Sequence, residues 1–335
     1  MFAKKIGIDL GTASTQVYVR GEGIVLDEPS LAAVEANSAR VLAIGRPASE
    51  WAERSPNAVR LVRPMREGAI ADAAVVDQVL RQLVVRAQGR QRLFRPEVMM
   101  CVPASATSRH RRALTEAAVG AGARQAWLIE APLAAAMGLG LPVAGPGGSA
   151  ICDLGAGGIQ VAVIALSGVV AAQTAPAGGD HLDAAIAARV RDQHGVQIEG
   201  RSAESLKLAL GCAVALDRPR SVEVTGRPLG GTGSATVTVS SAEVTEAIQA
   251  PLATLVAAVR QVLDQVPARL ESDVAERGMF LTGGGALLRG VDVFLAHATG
   301  IPMWPAEDPR TCAVRGTRRA LGEFEVLQRR QLYLR

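Results

Sequence analysis

The sequence predicts an α/β fold built from two related halves, and three observations support that class. Apolar runs typical of buried strands alternate with stretches whose apolar residues recur at helical spacing, an order that indicates a largely parallel sheet. The stretch DLGTASTQVYV at 9–19 returns at 153–163 as DLGAGGIQVAV, with Asp, Leu, Gly, Gln and two Val in the same places. Between the two copies lies LPVAGPGGS at 141–149, a Pro- and Gly-rich hinge that marks the boundary between the halves.

The composition is that of a long chain with an aliphatic core. The chain has 335 residues, of which 49% are hydrophobic and only 3% aromatic. It is therefore long enough to form two domains whose interiors consist of Ala, Val, Leu and Ile. The formal net charge of +4 is mild and no run of five like charges occurs, so the charge does not by itself argue for nucleic acid as a partner.

The cysteines, the N-terminus and the apolar stretches give no sign of a metal site, a secreted protein or a membrane-spanning protein. The four cysteines form no CxxC pair, so we expect buried free thiols rather than a metal site or disulfides. The N-terminus becomes polar too early for a signal peptide. The sequence contains no uninterrupted apolar stretch of about 18 residues, so no helix that spans a membrane is expected.

The first half shows strand and helix patterns in regular alternation. Its first two strands flank a Gly-containing turn, and Val75, Val79 and Leu83 are among the apolar residues at helical spacing in the first helix. Ser108 is the expected N-cap of the second helix, which should end at Gly120. The expected elements are strands at 5–10 and 15–19, a helix at 72–88, a strand at 97–103, a helix at 108–121, a strand at 126–130 and a helix from 131 to 140.

The second half restarts the pattern with the same hairpin, which predicts two copies of a βββαβα-like unit. Apolar residues from Val244 to Val266 recur at steps of three and four, so one long helix is expected there. The stretch GMFLTGGGALLRG at 278–290 predicts a buried strand that runs through three glycines into a helix. The other expected elements are strands at 149–154, 159–166 and 169–174, helices at 180–194 and 202–210, two strands within 220–240, and a helical, Arg-rich tail from 309.

The repeated Asp-Leu-Gly stretch is chemically suited to bind a phosphate. Glycines let the backbone approach an anion, and the amide N–H groups of a tight turn point at it. An Asp carboxylate would repel a phosphate, so Asp9 and Asp153 are better suited to hold a divalent cation through water. Thr12, Ser14 and Thr15 add hydroxyl donors in the first copy, and the glycines after Thr282 allow another close backbone approach.

Eight stretches, spread over nearly the whole chain, carry a resemblance to a known family. They are IGIDLGTASTQVYVRGEGIVLDEPS (6–30), VRPMREGAIAD (62–72), RPEVMMCVP (95–103), RRALTEAAVGAGA (111–123), AAAMGLGLPV (134–143), GGDHLDAAI (178–186), RSAESLKLALG (201–211) and ERGMFLTGGGALLRGVDVFLAHATGIP (276–302). The chain resembles the bacterial actins of the MreB/Mbl family, within the actin-like ATPase superfamily. The resemblance implies an actin-like fold with two duplicated domains around a nucleotide cleft: domain I at 1–142 plus 312–335, and domain II at 143–311.

The resemblance also implies ATP and Mg²⁺ as ligands and assigns residues to them. Asp9 and Asp153 would flank the hydrated Mg²⁺. The residues matched to the nucleotide are the first phosphate loop (Gly11, Thr12, Ala13, Ser14), the second phosphate loop (Gly155, Gly157, Gly158), a segment beside it (Gly178, Gly179, Asp180), the ribose and adenine pair (Glu204, Lys207) and the adenosine floor (Gly283, Gly284, Gly285, Leu287).

Two departures from the family pattern predict weak or absent ATP hydrolysis. The family has Glu-Glu-Pro ahead of its Ala-rich helix, and its second Glu helps to position the attacking water. Here Glu130 remains but Ala131 holds the second place, and an Ala cannot orient or deprotonate water. The second loop has lost two hydroxyls and an acid. As an alternative, Glu130 takes over the catalytic task, although adjacent helical side chains point about 100° apart.

A third stretch of interest is RQRLFRPE at 90–97, which places Leu93 and Phe94 among arginines. Exposed apolar side chains ringed by Arg suit contact with an anionic bilayer, and the resemblance places the family's membrane-insertion loop here. In the alternative interpretation the two side chains cap the core.

The tail at 315–335 is either an amphipathic binding helix or, as we favour, a helix packed on its own domain.

The resemblance implies a cytoplasmic protein at the membrane periphery. It would polymerise with itself into filaments that set cell shape and guide peptidoglycan synthesis, with the inner face of the cytoplasmic membrane and membrane proteins of the cell-wall machinery as partners and no nucleic acid. One alternative is a fully active ATPase of the same family. A sugar kinase or a chaperone relative is disfavoured, because we find neither a catalytic Asp for a sugar hydroxyl nor a peptide-binding region after the ATPase part.

Overall fold

The computed structural model describes residues 3–89 and 94–322. Its first half contains ten strands and four helices. They are β1 Lys5–Leu10, β2 Ser14–Val19, β3 Gly23–Pro29, β4 Ala32–Glu35, β5 Val41–Ile44, α1 Arg46–Arg54, β6 Val59–Val62, β7 Met65–Arg66, β8 Ala69–Ile70, α2 Ala73–Gln88, β9 Glu97–Val102, α3 Ser108–Gly120, β10 Gln125–Glu130 and α4 Ala131–Leu139.

The remaining described residues form eight strands and seven helices. They are β11 Ser149–Leu154, β12 Ile159–Ala165, β13 Gly168–Ala175, α5 Gly179–His194, β14 Val196–Gln197, α6 Gly200–Leu210, β15 Ser221–Pro228, β16 Ala235–Ser240, α7 Ser241–Ala247, α8 Gln249–Gln265, α9 Ala268–Arg277, β17 Met279–Thr282, α10 Val291–Thr299, β18 Met303–Pro305 and α11 Cys312–Gly322. Two short 3-10 turns lie at Gly284–Leu287 and Pro309–Thr311.

The two large sheets have the same topology, which confirms the duplication predicted from the repeated stretch. The strand order is β10-β9-β1-β2-β3 in the first sheet and β18-β17-β11-β12-β13 in the second. In each sheet an antiparallel three-stranded meander is joined to two parallel strands. The predicted α/β class is therefore observed in both halves, and β1 and β11 occupy equivalent central places. The expected largely parallel sheet is wrong, since each sheet has two parallel and two antiparallel pairings because its first three strands follow one another as hairpins.

Each large sheet packs helices on one face, and two helices lie between the sheets. The first core joins the first sheet to α2 and α3, and the second core joins the second sheet to α5, α7 and α8. A third core, built on α4 and α11, receives side chains from both sheets. Smaller sheets, β5-β4-β6 and β14-β15-β16, are added to the first and second half respectively.

Two predicted helix details are wrong, and both have local causes. Thr107, not Ser108, caps α3, because its side chain accepts the hydrogen bond of the His110 N–H. The single helix expected over 241–266 is broken at Ile248 into α7 and α8, with a bend of 44°. Pro251 explains the break, since proline lacks an N–H and its ring would clash with the carbonyl of a residue four positions earlier in a continuous helix.

The helical tail is described only as far as Gly322. Within that range α11 packs closely on α4, and Leu321 is buried, so this part of the tail packs against the rest of the chain. Residues 323–335, which complete the predicted tail, lie outside the described residues. In the described ranges no single helix is long and apolar enough to cross a membrane, although the bent pair α7 and α8 reaches that length and apolar content together.

Close contact between α4 and α11 gives a test of the packing. A Cβ at Gly316 would overlap the backbone carbonyl of Ala134, so a side chain would force the two helices apart. We expect Gly316→Ala to lower the free energy of unfolding by about 1–3 kcal/mol or more, measured by urea denaturation. Gly120→Ala is the matched control, because a Cβ there meets open space and should be neutral or slightly stabilising. Equal stability of both variants would contradict this packing.

Candidate functional site

A cavity of about 720 Å³ lies between the two halves, at the carboxyl ends of β1 and β11. Residues from both duplicated hairpins line it. The predicted site residues on its wall are Asp9, Gly11, Thr12, Ala13, Ser14, Asp153, Gly155, Gly157, Gly158, Gly179, Glu204, Lys207, Gly283, Gly284, Gly285 and Leu287. Four other predicted residues, Thr15, Gly178, Asp180 and Glu130, do not line the cavity, and Ala131 does.

The first phosphate-loop candidate is a tight turn between β1 and β2. The Gly11 N–H donates to the Ser14 carbonyl at 3.0 Å, which closes the turn. The hydroxyl of Thr12 is buried and accepts a long hydrogen bond, 3.4 Å, from the Gly68 N–H. The loop is thereby tied to the turn between β7 and β8, a segment that sequence reasoning did not connect with the site.

The second phosphate-loop candidate presses against the first. A Cβ at Gly157 would overlap the Thr12 hydroxyl and come within 2.7 Å of the Glu67 nitrogen, so only glycine fits there. Gly178 lies behind this loop rather than in the cavity. The amides that follow it hold the loop from outside, since the Gly179 N–H donates to Gly155 at 3.0 Å and the Asp180 N–H donates to Ala156 at 2.9 Å.

The charged part of the cavity holds two partly buried carboxylates, one from each half. Burial and the nearby charge of Asp153 raise the pKa of Asp9 to about 7. Burial also raises the pKa of Asp153, although the Thr282 hydroxyl donates to it at 2.9 Å and partly stabilises its ionised form. Two carboxylates that disfavour each other's charge fit a divalent cation between them.

The fit to Mg²⁺ depends on ligands beyond the protein. In the described part of the chain, no group of three or more His, Cys, Asp or Glu residues is placed to hold a metal. Mg²⁺ is commonly bound by one or two carboxylates, with water and phosphate oxygens completing the octahedron. Asp9 and Asp153 meet that requirement.

Another part of the cavity wall is apolar and exposed. The side chains of Leu208 and Leu287 line it and are 72% and 62% exposed, which suits contact with a flat ring. Leu208 was missed from the sequence, although it directly follows Lys207. The Lys207 ammonium itself is held by Asp183 at 2.8 Å and by the Gly179 carbonyl at 3.2 Å, so it supports the wall of the cavity.

Asp180 makes a contact between the halves instead of lining the cavity. Both of its carboxylate oxygens accept from one guanidinium nitrogen of Arg63, at 3.0 and 2.9 Å. Arg310, after the second sheet, likewise donates to the carboxylate of Asp27 on β3, at 3.1 Å. The two ion pairs join the halves, and no local sequence pattern reveals such long-range pairs.

Glu130 is also engaged elsewhere. Its carboxylate accepts from Arg111 at 3.1 Å, and Arg111 donates in addition to the Ala104 and Ala106 carbonyls. The neighbouring Ala131 lines the cavity but carries only a methyl group. The arrangement therefore brings no carboxylate from this segment to the cavity wall.

The remaining residues that the sequence singled out are the apolar pair Leu93 and Phe94 and the four cysteines. Leu93 lies outside the described residues, whereas Phe94 is 53% exposed and so does not cap the core. The four cysteines are buried and free, as expected. Burial, together with the charges of Asp153 and Asp308, raises the pKa of Cys312 to about 12, so its thiol stays protonated.

Comparisons with known proteins identify relatives of the whole chain. The family model described as "MreB/Mbl protein" matches residues 3–329. The cell shape-determining protein MreB of Escherichia coli K12 is 45% identical over 331 residues, which cover 97% of this chain and 95% of that protein. The cell shape-determining protein Mbl of Bacillus subtilis 168 is 35% identical over 332 residues, which cover 99% of this chain and 100% of that protein.

Solved structures with the same fold confirm the actin-like architecture. MreB5 of Spiroplasma citri bound to ADP is 27% identical with a TM-score of 0.91, and the match covers 98% of each chain. The same protein bound to AMPPNP also gives a TM-score of 0.91, over 99% of this chain and 100% of that one. The MamK double helical filament, 18% identical, gives a TM-score of 0.80 over 96% of this chain and 99% of that chain, and supports the fold alone.

The raised pKa of Asp9 predicts a pH dependence of stability in the absence of a divalent cation. Between its unfolded value of 3.8 and its folded value of about 7, the folded chain holds a proton that the unfolded chain has released. Stability from this group is therefore lost as pH rises through that window. We expect the wild type to lose about 2 kcal/mol relative to Asp9→Asn between pH 5 and 7, measured by urea denaturation. Parallel pH curves would contradict the pKa assignment.

Proposed function

The chain belongs to the MreB/Mbl family, and from that premise we propose that it is a nucleotide-binding, filament-forming protein that determines cell shape. The observation that carries the proposal is the cavity between the duplicated halves, into which both turns of the repeated stretch project. Relatives that share the family are named for cell-shape determination, at up to 45% identity over nearly the whole length.

The ligand we propose is ATP with Mg²⁺. Structures of MreB5, the 27% identical relative, contain ADP or AMPPNP, which supports a nucleotide in the equivalent cavity. Backbone amides of the two loops would bind the phosphates, and Asp9 and Asp153 would hold the cation through water. The leucines of the apolar wall would contact the base. Mg²⁺ would neutralise the charge that otherwise accumulates where the phosphates meet the two carboxylates.

We propose self-association into filaments, with the cytoplasmic face of the membrane and membrane proteins of the cell-wall machinery as partners. Family membership supports the first of these. Bound nucleotide would favour one relative arrangement of the halves and thereby one state of the polymer. In this role the protein would guide peptidoglycan synthesis.

Hydrolysis is proposed to be slow, and the structure supports the reason. A general base must reach the attacking water within hydrogen-bond distance. Ala131 offers no polar atom, and the adjacent Glu130 is bound to Arg111 away from the cavity wall. The alternative of a fully active ATPase would need Glu130 to leave Arg111, because it is the nearest carboxylate of that segment.

Restoring the missing carboxylate tests the proposed slow hydrolysis. We expect Ala131→Glu to release phosphate from Mg-ATP about 100-fold faster than the wild type, because a positioned base typically contributes a factor of 10² or more. Phosphate release is measured beside nucleotide affinity, which should change little. Ala131→Met, of similar length without a carboxylate, is the matched control and should remain slow. A wild type as fast as the Glu variant would reject the role assigned to Ala131.

Membrane contact is proposed through Leu93 and Phe94. The exposed ring of Phe94 supports it, since an exposed apolar side chain beside arginines gains free energy at an anionic lipid surface. We expect a Leu93→Ser, Phe94→Ser double variant to lose most of its co-sedimentation with phosphatidylglycerol vesicles. Val119→Ser, at an exposed apolar site on α3, is the control and should pellet like the wild type. Undiminished pelleting of the double variant would reject this loop as the membrane contact.

A further inference from the structure

Three side chains form a row across the second large sheet and face the cavity together. Asp153 on β11 lies opposite Gln160 on β12, and Gln160 lies opposite Thr174 on β13. Side chains that are directly opposite in neighbouring strands point to the same face of a sheet. All three residues line the cavity. Gln160 and Thr174 were not among the sequence-predicted site residues.

The orientation of the Gln160 amide follows from a contact with the other half. Its Oε1 accepts a hydrogen bond from the Ala104 N–H at 2.9 Å. A backbone N–H can only donate, so the amide oxygen must face Ala104 and the amide nitrogen must point away. Arg111 holds the carbonyl of Ala104 at 3.3 Å, which keeps that loop in place. The assignment of oxygen and nitrogen in Gln160 is thus determined by its partner.

The amide nitrogen is therefore available to a ligand. Within residues 3–89 and 94–322, no group accepts a hydrogen bond from Nε2 of Gln160, and the Thr174 hydroxyl has no partner either. The row consequently presents two N–H donors and one hydroxyl beside the Asp153 carboxylate. Donors of this kind suit the oxygens of an anion.

The position of Gln160 indicates which part of a nucleotide it would meet. The exposed leucines Leu208 and Leu287 form an apolar part of the cavity wall, whereas Asp9 and Asp153 form the part suited to a cation and phosphates. Gln160 lies opposite Asp153 in the strand register, and so belongs to the charged part. A carboxylate in place of the Gln160 amide would offer only acceptors and would repel a phosphate.

We propose that Gln160, assisted by the Thr174 hydroxyl, binds the terminal phosphate of the nucleotide and makes the site select a triphosphate over a diphosphate. The inference rests on the proposed nucleotide binding and adds the selectivity to it. The second loop lacks hydroxyls at Gly158 and Ile159, and the row on β12 and β13 supplies donors in their place. Gln160 would bind the phosphate without removing a proton from water, since an uncharged amide is not a base.

The decisive variant is Gln160→Glu. A carboxylate of the same shape still accepts from the Ala104 N–H, so the contact between the halves is kept while both ligand-facing donors are lost. Dissociation constants for Mg-AMPPNP and Mg-ADP are measured by calorimetry. We expect the dissociation constant for AMPPNP to rise at least about tenfold more than the dissociation constant for ADP. A hydrogen bond to a charged group contributes enough free energy for a change of that size. Thr174→Val should reduce the preference by a smaller factor.

A matched pair of variants separates this role from a general effect on folding. Gln16 is the counterpart of Gln160 in the first hairpin, opposite Asp9, but it is buried at 1% exposure and does not line the cavity. Gln160→Met should lose the preference for AMPPNP, whereas Gln16→Met should keep it. The thermal midpoints of both variants show that they are folded.

The outcomes distinguish the inference from the proposed function. If the wild type binds both nucleotides, and Gln160→Glu and Gln160→Met change both affinities by the same factor or by none, the inference is wrong and the proposed function stands. If the wild type binds neither nucleotide, both are wrong. The inference is supported if the Gln160 variants lose AMPPNP affinity selectively while Gln16→Met keeps the preference for AMPPNP.

Discussion

The approach of two partly buried carboxylates, one at the end of each central strand, is the constraint around which the molecule is arranged. Asp9 and Asp153 come from equivalent places in the duplicated sheets, and burial together with their mutual repulsion raises the pKa of Asp9 to about 7. Such a pair is tolerated only with a proton or a cation to offset its charge. The glycine turns that follow each Asp leave backbone amides, rather than side chains, beside the resulting charge.

The two copies of the repeated stretch have kept the same backbone and changed their side chains. The first copy retains the buried Thr12 hydroxyl, which bonds the backbone beside it. In the second copy the residues between Leu154 and Gln160 are only Gly, Ala and Ile, and the Gln160 amide accepts a hydrogen bond from the Ala104 N–H. Duplication therefore accounts for the shared topology, while the two loops differ in their polar groups: one half offers hydroxyls and the other an amide. Both are suited to bind an anion, and neither provides a base.

Much of the fold could be predicted because its larger elements carry strong local patterns. The repeated hairpin, the helix α2 and the buried strands β9 and β11 follow directly from the spacing of apolar residues. The short strands β4 to β8 were missed, since two to four residues are too few to show a period. Pro251 interrupts an otherwise regular helical pattern, and its effect depends on a carbonyl one turn earlier.

The wall of the cavity was largely predicted from glycines and acids, but its polar contacts were not. Glu130 with Arg111 and Asp180 with Arg63 are pairs between residues far apart in the chain, so their side chains leave the cavity for partners that no local motif indicates. Gln160 was noticed only as a lost acid. The orientation of its amide follows from the Ala104 N–H, which donates to Oε1 and so determines which atom is the oxygen.

The most direct test of this account is the identity of the nucleotide that remains bound to the protein. The purified wild type is loaded with Mg-ATP, freed of excess nucleotide, incubated for several half-times of a typical single turnover, and then denatured for chromatography of the released nucleotide. A cavity that holds phosphates between two glycine turns without a positioned base should return mostly ATP. Release of ADP in one equivalent, or the absence of any bound nucleotide, would contradict the account.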